Sequence, residues 1–113
     1  MTFPIDLSTY TPLRFSLSQE GLTGEQRTTL QSNIRLVRDA IVFFTALANT
    51  KGLGGHTGGA YDIVPELLIA DGFIKGTDAC YPVYFDEAGH RVAIQYMMAV
   101  LNGYKQPESL LHY

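Results

Sequence analysis

Tryptophan is absent from this 113-residue chain, and cysteine occurs once, at Cys80. A lone thiol forms no internal disulfide, so the fold gains nothing from an oxidising compartment. Charge is scarce as well: 17% of residues are Asp, Glu, Lys or Arg, against about 25% in an ordinary domain. The eight basic residues are scattered from Arg14 to Lys105 without a basic block, and eleven acidic residues leave a net charge of −3. Binding of nucleic acid through phosphate neutralisation finds no support in that distribution. No apolar run approaches the ~20 residues that span a bilayer. The opening Met1-Thr2-Phe3-Pro4-Ile5-Asp6 lacks the basic start and apolar core of a secretory signal. The expectation is a soluble cytoplasmic chain. Metal ligation is also unsupported, since His56, His90 and His112 share no ligand spacing and Cys80 has no partner cysteine. No Gly-Lys-Ser/Thr closes a phosphate loop, and the glycines do not follow a strand as a dinucleotide fingerprint requires.

What the chain does have is a globular composition. Hydrophobic residues make up 46%, with seven Tyr and six Phe, which excludes disorder and fits one domain. A chain this long buries roughly 65% of its unfolded surface. The low charge leaves more surface than usual for contact with something else. Residues 1–22 carry Pro4, Pro12 and a turn-rich Asp6-Leu7-Ser8-Thr9 stretch, so they are expected to form an extended N-terminal arm lying along something larger.

Helical periodicity begins at residue 23. Thr23 with Gln26 forms a capping-box pattern, and Leu30, Ile34, Val37, Ile41, Phe44 and Ala48 recur at alternating spacings of four and three. This helix should stop before Gly52. A loop with five glycines in eight positions follows, Gly52-Leu53-Gly54-Gly55-His56-Thr57-Gly58-Gly59. A second helix is expected from about Ala60 to Phe73, with Pro65 in its first turns or kinking it. Cys80–Asp86 is aromatic and suggests a short extended piece. A third helix is expected from near Ala88 to Gly103, and Pro107–Tyr113 looks like the start of a fourth. No stop signal follows that last segment, which is a sign of truncation, with a natural small subunit of a split enzyme as the other reading.

Two histidines stand out. His56 is flanked by glycines that let backbone approach a ligand and leave the ring unshielded. A helix is expected to open just after it, a placement that suits an anion or a developing oxyanion. His90, in Ala88-Gly89-His90, is also expected at a helix start, where ring and backbone N–H groups together could hold phosphate. Taken alone, the residues favour a hinge whose histidine points at water, and a histidine that caps its own helix. Asp62, Glu66 and Asp71 are read as a solvated helix face, Asp86 and Glu87 as caps of the third helix, Met97-Met98 and Tyr96 as core packing, and Cys80 as a buried small hydrophobe.

In order and spacing, these pieces resemble the N-terminal part of transketolase-like thiamine-diphosphate enzymes. The resemblance rests on Asn33-Ile34-Arg35-Leu36, Gly55-His56-Thr57-Gly58-Gly59, Tyr84-Phe85-Asp86-Glu87-Ala88-Gly89-His90 and Leu101-Asn102-Gly103-Tyr104. It covers roughly residues 23–113, and the homodimeric pyruvate dehydrogenase first component is similar in its Gly-Gly-His and Tyr-Asp-Ile/Val elements. The resemblance implies that residues 23–113 are the incomplete helical part of an α/β thiamine-diphosphate-binding domain, mostly α as a fragment, whose parallel sheet comes from later sequence. It implies a transferase of carbohydrate metabolism that moves a two-carbon ketol or acyl unit, with His56 catalytic and His90 beside the diphosphate of the cofactor. Partners would be the remainder of the enzyme, a second subunit, or a second copy in a homodimer. Here the loop has Thr57 where the family commonly has proline. The Gly-Asp-Gly motif that holds Mg²⁺ or Ca²⁺, its following Asn and the activating glutamate are not found between residues 1 and 113. The fragment alone is therefore expected to be inactive and to bind thiamine diphosphate negligibly. The alternative is a small helical interaction module, without catalysis, that uses the Leu30–Ala48 and Ile94–Leu101 faces to bind a partner.

Overall fold

A computed structural model describes residues 1–113. The chain is mostly helical and contains no β-strand. The long helix α1 (Gly24–Thr50) is the spine, and α2 (Gly58–Asp62), α3 (Val64–Gly76) and α4 (Val92–Leu101) all pack on it. Short 3-10 turns occupy Leu7–Thr9, Gly89–Arg91 and Pro107–His112. No helix is long and apolar enough to cross a membrane.

Both ends of α1 form as the sequence predicts. Thr23 Oγ1 accepts from the Gln26 N–H at 3.0 Å, and Gln26 Oε1 accepts from the Thr23 N–H at 3.1 Å, satisfying two of the orphan donors of the first turn. At the other end Gly52 turns left-handed, with φ +74°. Its N–H then reaches Asn49 O, and the Leu53 N–H reaches Ala48 O, which closes the helix as a Schellman motif.

The buried face of α1 runs through Leu30, Asn33, Val37, Ala40, Ile41, Phe44, Thr45 and Ala48. It meets Val64 and Leu68 of α3 and Ala93, Ile94, Met97 and Met98 of α4 in one core. The apolar faces expected to be offered to a partner are thus consumed within the chain. Tyr96, by contrast, is 41% exposed and stacks edge-on against Tyr113, and Cys80 is half-buried rather than buried.

The second helical segment departs from its expected course. It begins at Gly58, breaks at Ile63 and resumes as α3 to Gly76. Pro65 has no N–H to give the Tyr61 carbonyl four residues back. Arg38 Nε donates to that carbonyl instead, at 3.0 Å. The expected third helix likewise opens with a separate 3-10 turn, and the C-terminal segment is a 3-10 turn whose Leu110 and Leu111 are buried.

The arm is irregular, as its prolines dictate, but what it lies along is its own chain. Phe3, Leu13 and Phe15 are buried. The Asn33 side chain clasps Thr11 twice, accepting from its N–H at 3.2 Å and donating to its carbonyl at 2.7 Å. The Phe15 N–H bonds Gly72 O at 2.9 Å, and Arg14 donates to Lys75 O at 2.7 Å.

Candidate functional site

The loop that carries His56 is held to α1 on both sides of the histidine. A Cβ on Gly55 would lie 2.4 Å from the Thr45 carbonyl oxygen, so only glycine permits this approach. The Thr57 hydroxyl hydrogen-bonds Thr45 Oγ1 at 2.6 Å, and Thr45 in turn donates to Ile41 O. Between these two anchors His56 is exposed. A pinned loop with an outward ring differs from a free hinge, because the backbone direction at residue 56 is set by buried Thr45.

Beyond the loop, α2 has five residues only. The helix dipole expected behind His56 is accordingly that of little more than one turn. The break at Ile63, just ahead of Pro65, is the cause, and a helix this short lends little dipole to the ring. What α2 does supply is a flat backbone surface at Gly59. The His90 ring lies on it, with Cδ2 2.7 Å and Nε2 3.4 Å from where a Gly59 Cβ would stand. Gly59 is three residues after His56, so the fold joins the two histidine-bearing segments that the sequence separates by 34 positions. His90 itself is exposed and sits in the 3-10 turn Gly89–Arg91, ahead of α4 rather than at its first residue.

The turn is braced by Asp86. Its carboxylate accepts from Arg91 Nε at 2.6 Å, from Arg91 NH2 at 2.8 Å and from the Ala88 N–H at 2.9 Å. A bidentate guanidinium pair of this kind fixes orientation as well as contributing energy. The Arg91 hydrogen bonds, followed by the Ala88 N–H, hold the Asp86 carboxyl down to about 2. Asp86 therefore supports the histidine turn from three residues before it begins, more than a simple cap would. Glu87 is exposed.

Sequence reasoning missed a second group. Asp71, expected on a solvated face, is 4% exposed and pairs with Lys75 one turn later on α3. Burial, then the Asp71 charge, pushes the Tyr84 hydroxyl up to about 12; the Tyr10 hydroxyl is raised further by the same causes and by Tyr84. A cleft of about 530 Å³ opens above this group, bounded by Tyr84, Gln95, Asn102 and Tyr104. Neither histidine lines it. The signal was present in the spacing, since Val64, Leu68 and Asp71 share one face of α3 and Lys75 stands at i+4 from the acid.

Tyr81, Val83 and Phe85 are 89%, 73% and 87% exposed, while Tyr84 between them is half-buried. The stretch forms no regular secondary structure and pairs with no strand. No group of three or more His, Cys, Asp or Glu side chains is gathered where a metal could be held. No protein-family model, no curated protein and no solved structure matches the chain.

Proposed function

We propose that this chain is the N-terminal part of a thiamine-diphosphate-dependent transferase of the transketolase type, within an α/β domain whose sheet lies in other sequence. The observation that carries the reading is the contact of the His90 ring with Gly59. It gathers the Gly-His turn and the Gly-Gly-His-Thr-Gly-Gly loop at one corner of the molecule. In this role His56, held from both sides through Thr45, presents its imidazole to the substrate oxygen or takes its proton. His90, steadied by the Asp86–Arg91 brace, contributes a donor to the diphosphate.

The bound cofactor would supply the electron sink for a two-carbon ketol or acyl carbanion. The 113 residues gather no ligand set for Mg²⁺ or Ca²⁺, so by themselves they do not fit a metal-anchored diphosphate. That anchor belongs to another part of the enzyme or to a different partner subunit. The exposed Tyr81, Val83 and Phe85 edge favours an interface for such a neighbour.

The test uses the complete protein read from the coding frame. His56→Ala should reduce thiamine-diphosphate-dependent transfer by ~10²-fold or more while the folded spectrum is kept. His90→Ala should raise the cofactor concentration for half-saturation by roughly tenfold. A complete protein without thiamine-dependent transfer, or one whose His56→Ala variant works at the original rate, would refute the assignment. Titration of the 113-residue chain with thiamine diphosphate and Mg²⁺ should give no tight complex.

A further inference from the structure

The solvent face of α1 gathers basic charge that the linear sequence hides. At 100° per residue, Arg38 lies within about 20° of Arg27 around the helix axis, and Arg35 falls on the same side. The chain carries a net charge of −3, yet three of its eight basic residues share this face. Its two ion pairs are Lys75–Asp71 and Arg91–Asp86, so none of the three arginines has a carboxylate partner.

Arg35 and Arg38 border one concavity of about 480 Å³, together with Gln31, Ile34, Asp39 and Tyr61. Arg38 is held in place there. Its Nε donates to the Tyr61 carbonyl at 3.0 Å, and its guanidinium carbon lies 4.5 Å from the centre of the Tyr61 ring. The carbonyl is available because Pro65 cannot donate to it. The two terminal amino groups of Arg38 make no hydrogen bond within the chain, and Arg35 makes none at all. A guanidinium fixed by one hydrogen bond and one stacked ring has little rotamer freedom left to lose when a ligand arrives.

We propose that this concavity is an oxyanion site for the phosphate group of a small molecule, separate from the histidine corner and independent of the thiamine reading. Two forked cations and the Gln31 amide offer more donors than the two oxygens of a carboxylate can accept, whereas the oxygens of a phosphate dianion use them. Asp39, at the edge, sets the selectivity: it repels an anion that engages only one arginine and is outweighed when both are engaged.

Inorganic phosphate is titrated into the 113-residue chain at constant ionic strength, with backbone amide spectra as the readout. Saturable shifts are expected at Gln31, Arg35, Arg38 and Tyr61, and acetate at the same ionic strength should bind at least tenfold more weakly. Arg35 is exposed and makes no ion pair in the fold, so Arg35→Ala tests the site without unfolding it. It should weaken phosphate binding by about tenfold, and Arg35→Lys, which keeps the charge but loses the fork, by about threefold. The proposal is overturned by shifts that do not saturate, by shifts centred on Gly89–Arg91, by acetate matching phosphate, or by an Arg35→Ala variant that binds as tightly as the parent.

Discussion

The seat of the N-terminal arm and the histidine corner are built with the same device and put it to different ends. At the arm, the position a Gly72 Cβ would take is filled by the Phe15 ring, 2.4 Å away, and that of Gly76 by the Phe15 backbone, 2.1 Å from its oxygen. At the corner, the Thr45 carbonyl stands 2.4 Å from the Gly55 position, and the His90 ring 2.7 Å from that of Gly59. Phe15 is 1% exposed, so its contact is a stability element. His90 is exposed, so its contact contributes little burial and mainly fixes where a polar ring stands. A missing Cβ can thus serve packing or presentation, and the solvent exposure of the side chain that fills the gap tells which.

Substitutions at the two regions should separate along that line. The largest effect is expected at the arm, where Phe15→Ala removes a fully buried aromatic side chain and should lower unfolding free energy by about 4 kcal/mol in urea denaturation. Gly76→Ala presses against backbone that cannot swing aside and should lower it by about 3 kcal/mol. Gly55→Ala meets backbone too, but on an exposed loop that can lift off α1. A loss of about 1–2 kcal/mol is expected, with amide exchange rising from residue 54 to 57. Gly59→Ala meets side chains rather than backbone, the rotatable His90 ring and Arg91 Cγ at 3.0 Å. It should cost less than about 1 kcal/mol while shifting the His90 ring resonances. If Gly59→Ala destabilised the chain as much as Phe15→Ala, the distinction between packing and presentation would be lost.

The smallest effect sharpens the comparison through pH. The Asp86 carboxyl is held down to about 2 by Arg91 and the Ala88 N–H. Its folded value is lower than its unfolded one, so the stability it contributes is complete above the ordinary carboxylate range and is lost as pH falls toward 2. Carbon-detected titration should place the Asp86 midpoint near 2 in the parent and bring it back toward 3.8 in Arg91→Ala. An unchanged midpoint in that variant would show that the brace does not hold the turn. Tyr84 gives the opposite sign. With its hydroxyl raised to about 12, stability should fall as pH rises from 10 to 12, because only the unfolded chain ionises easily there.

Much of the local structure was legible from residue types. The Thr23–Gln26 capping box, the Schellman turn at Gly52 and the inward stripe of α1 depend on interactions within a few residues, and such signals survive without knowledge of the fold. Tertiary partners decided the rest. Whether Pro65 would bend or break its helix depended on a substitute donor for the Tyr61 carbonyl, and Arg38, 23 positions earlier, provided it. Asp71 resembled any surface acid until Lys75 and the seat of the arm enclosed it. The two histidines were recognisable as separate glycine-flanked residues, but the meeting of their segments rests on the contact of Gly59 with His90, which no local pattern encodes. Sequence by itself determined the helices, their ends and their apolar faces, because backbone hydrogen bonding and side-chain periodicity act over a few residues. Which polar groups were buried, stacked or brought together was decided only when distant segments packed, because those contacts form across turns of chain that local propensity does not constrain.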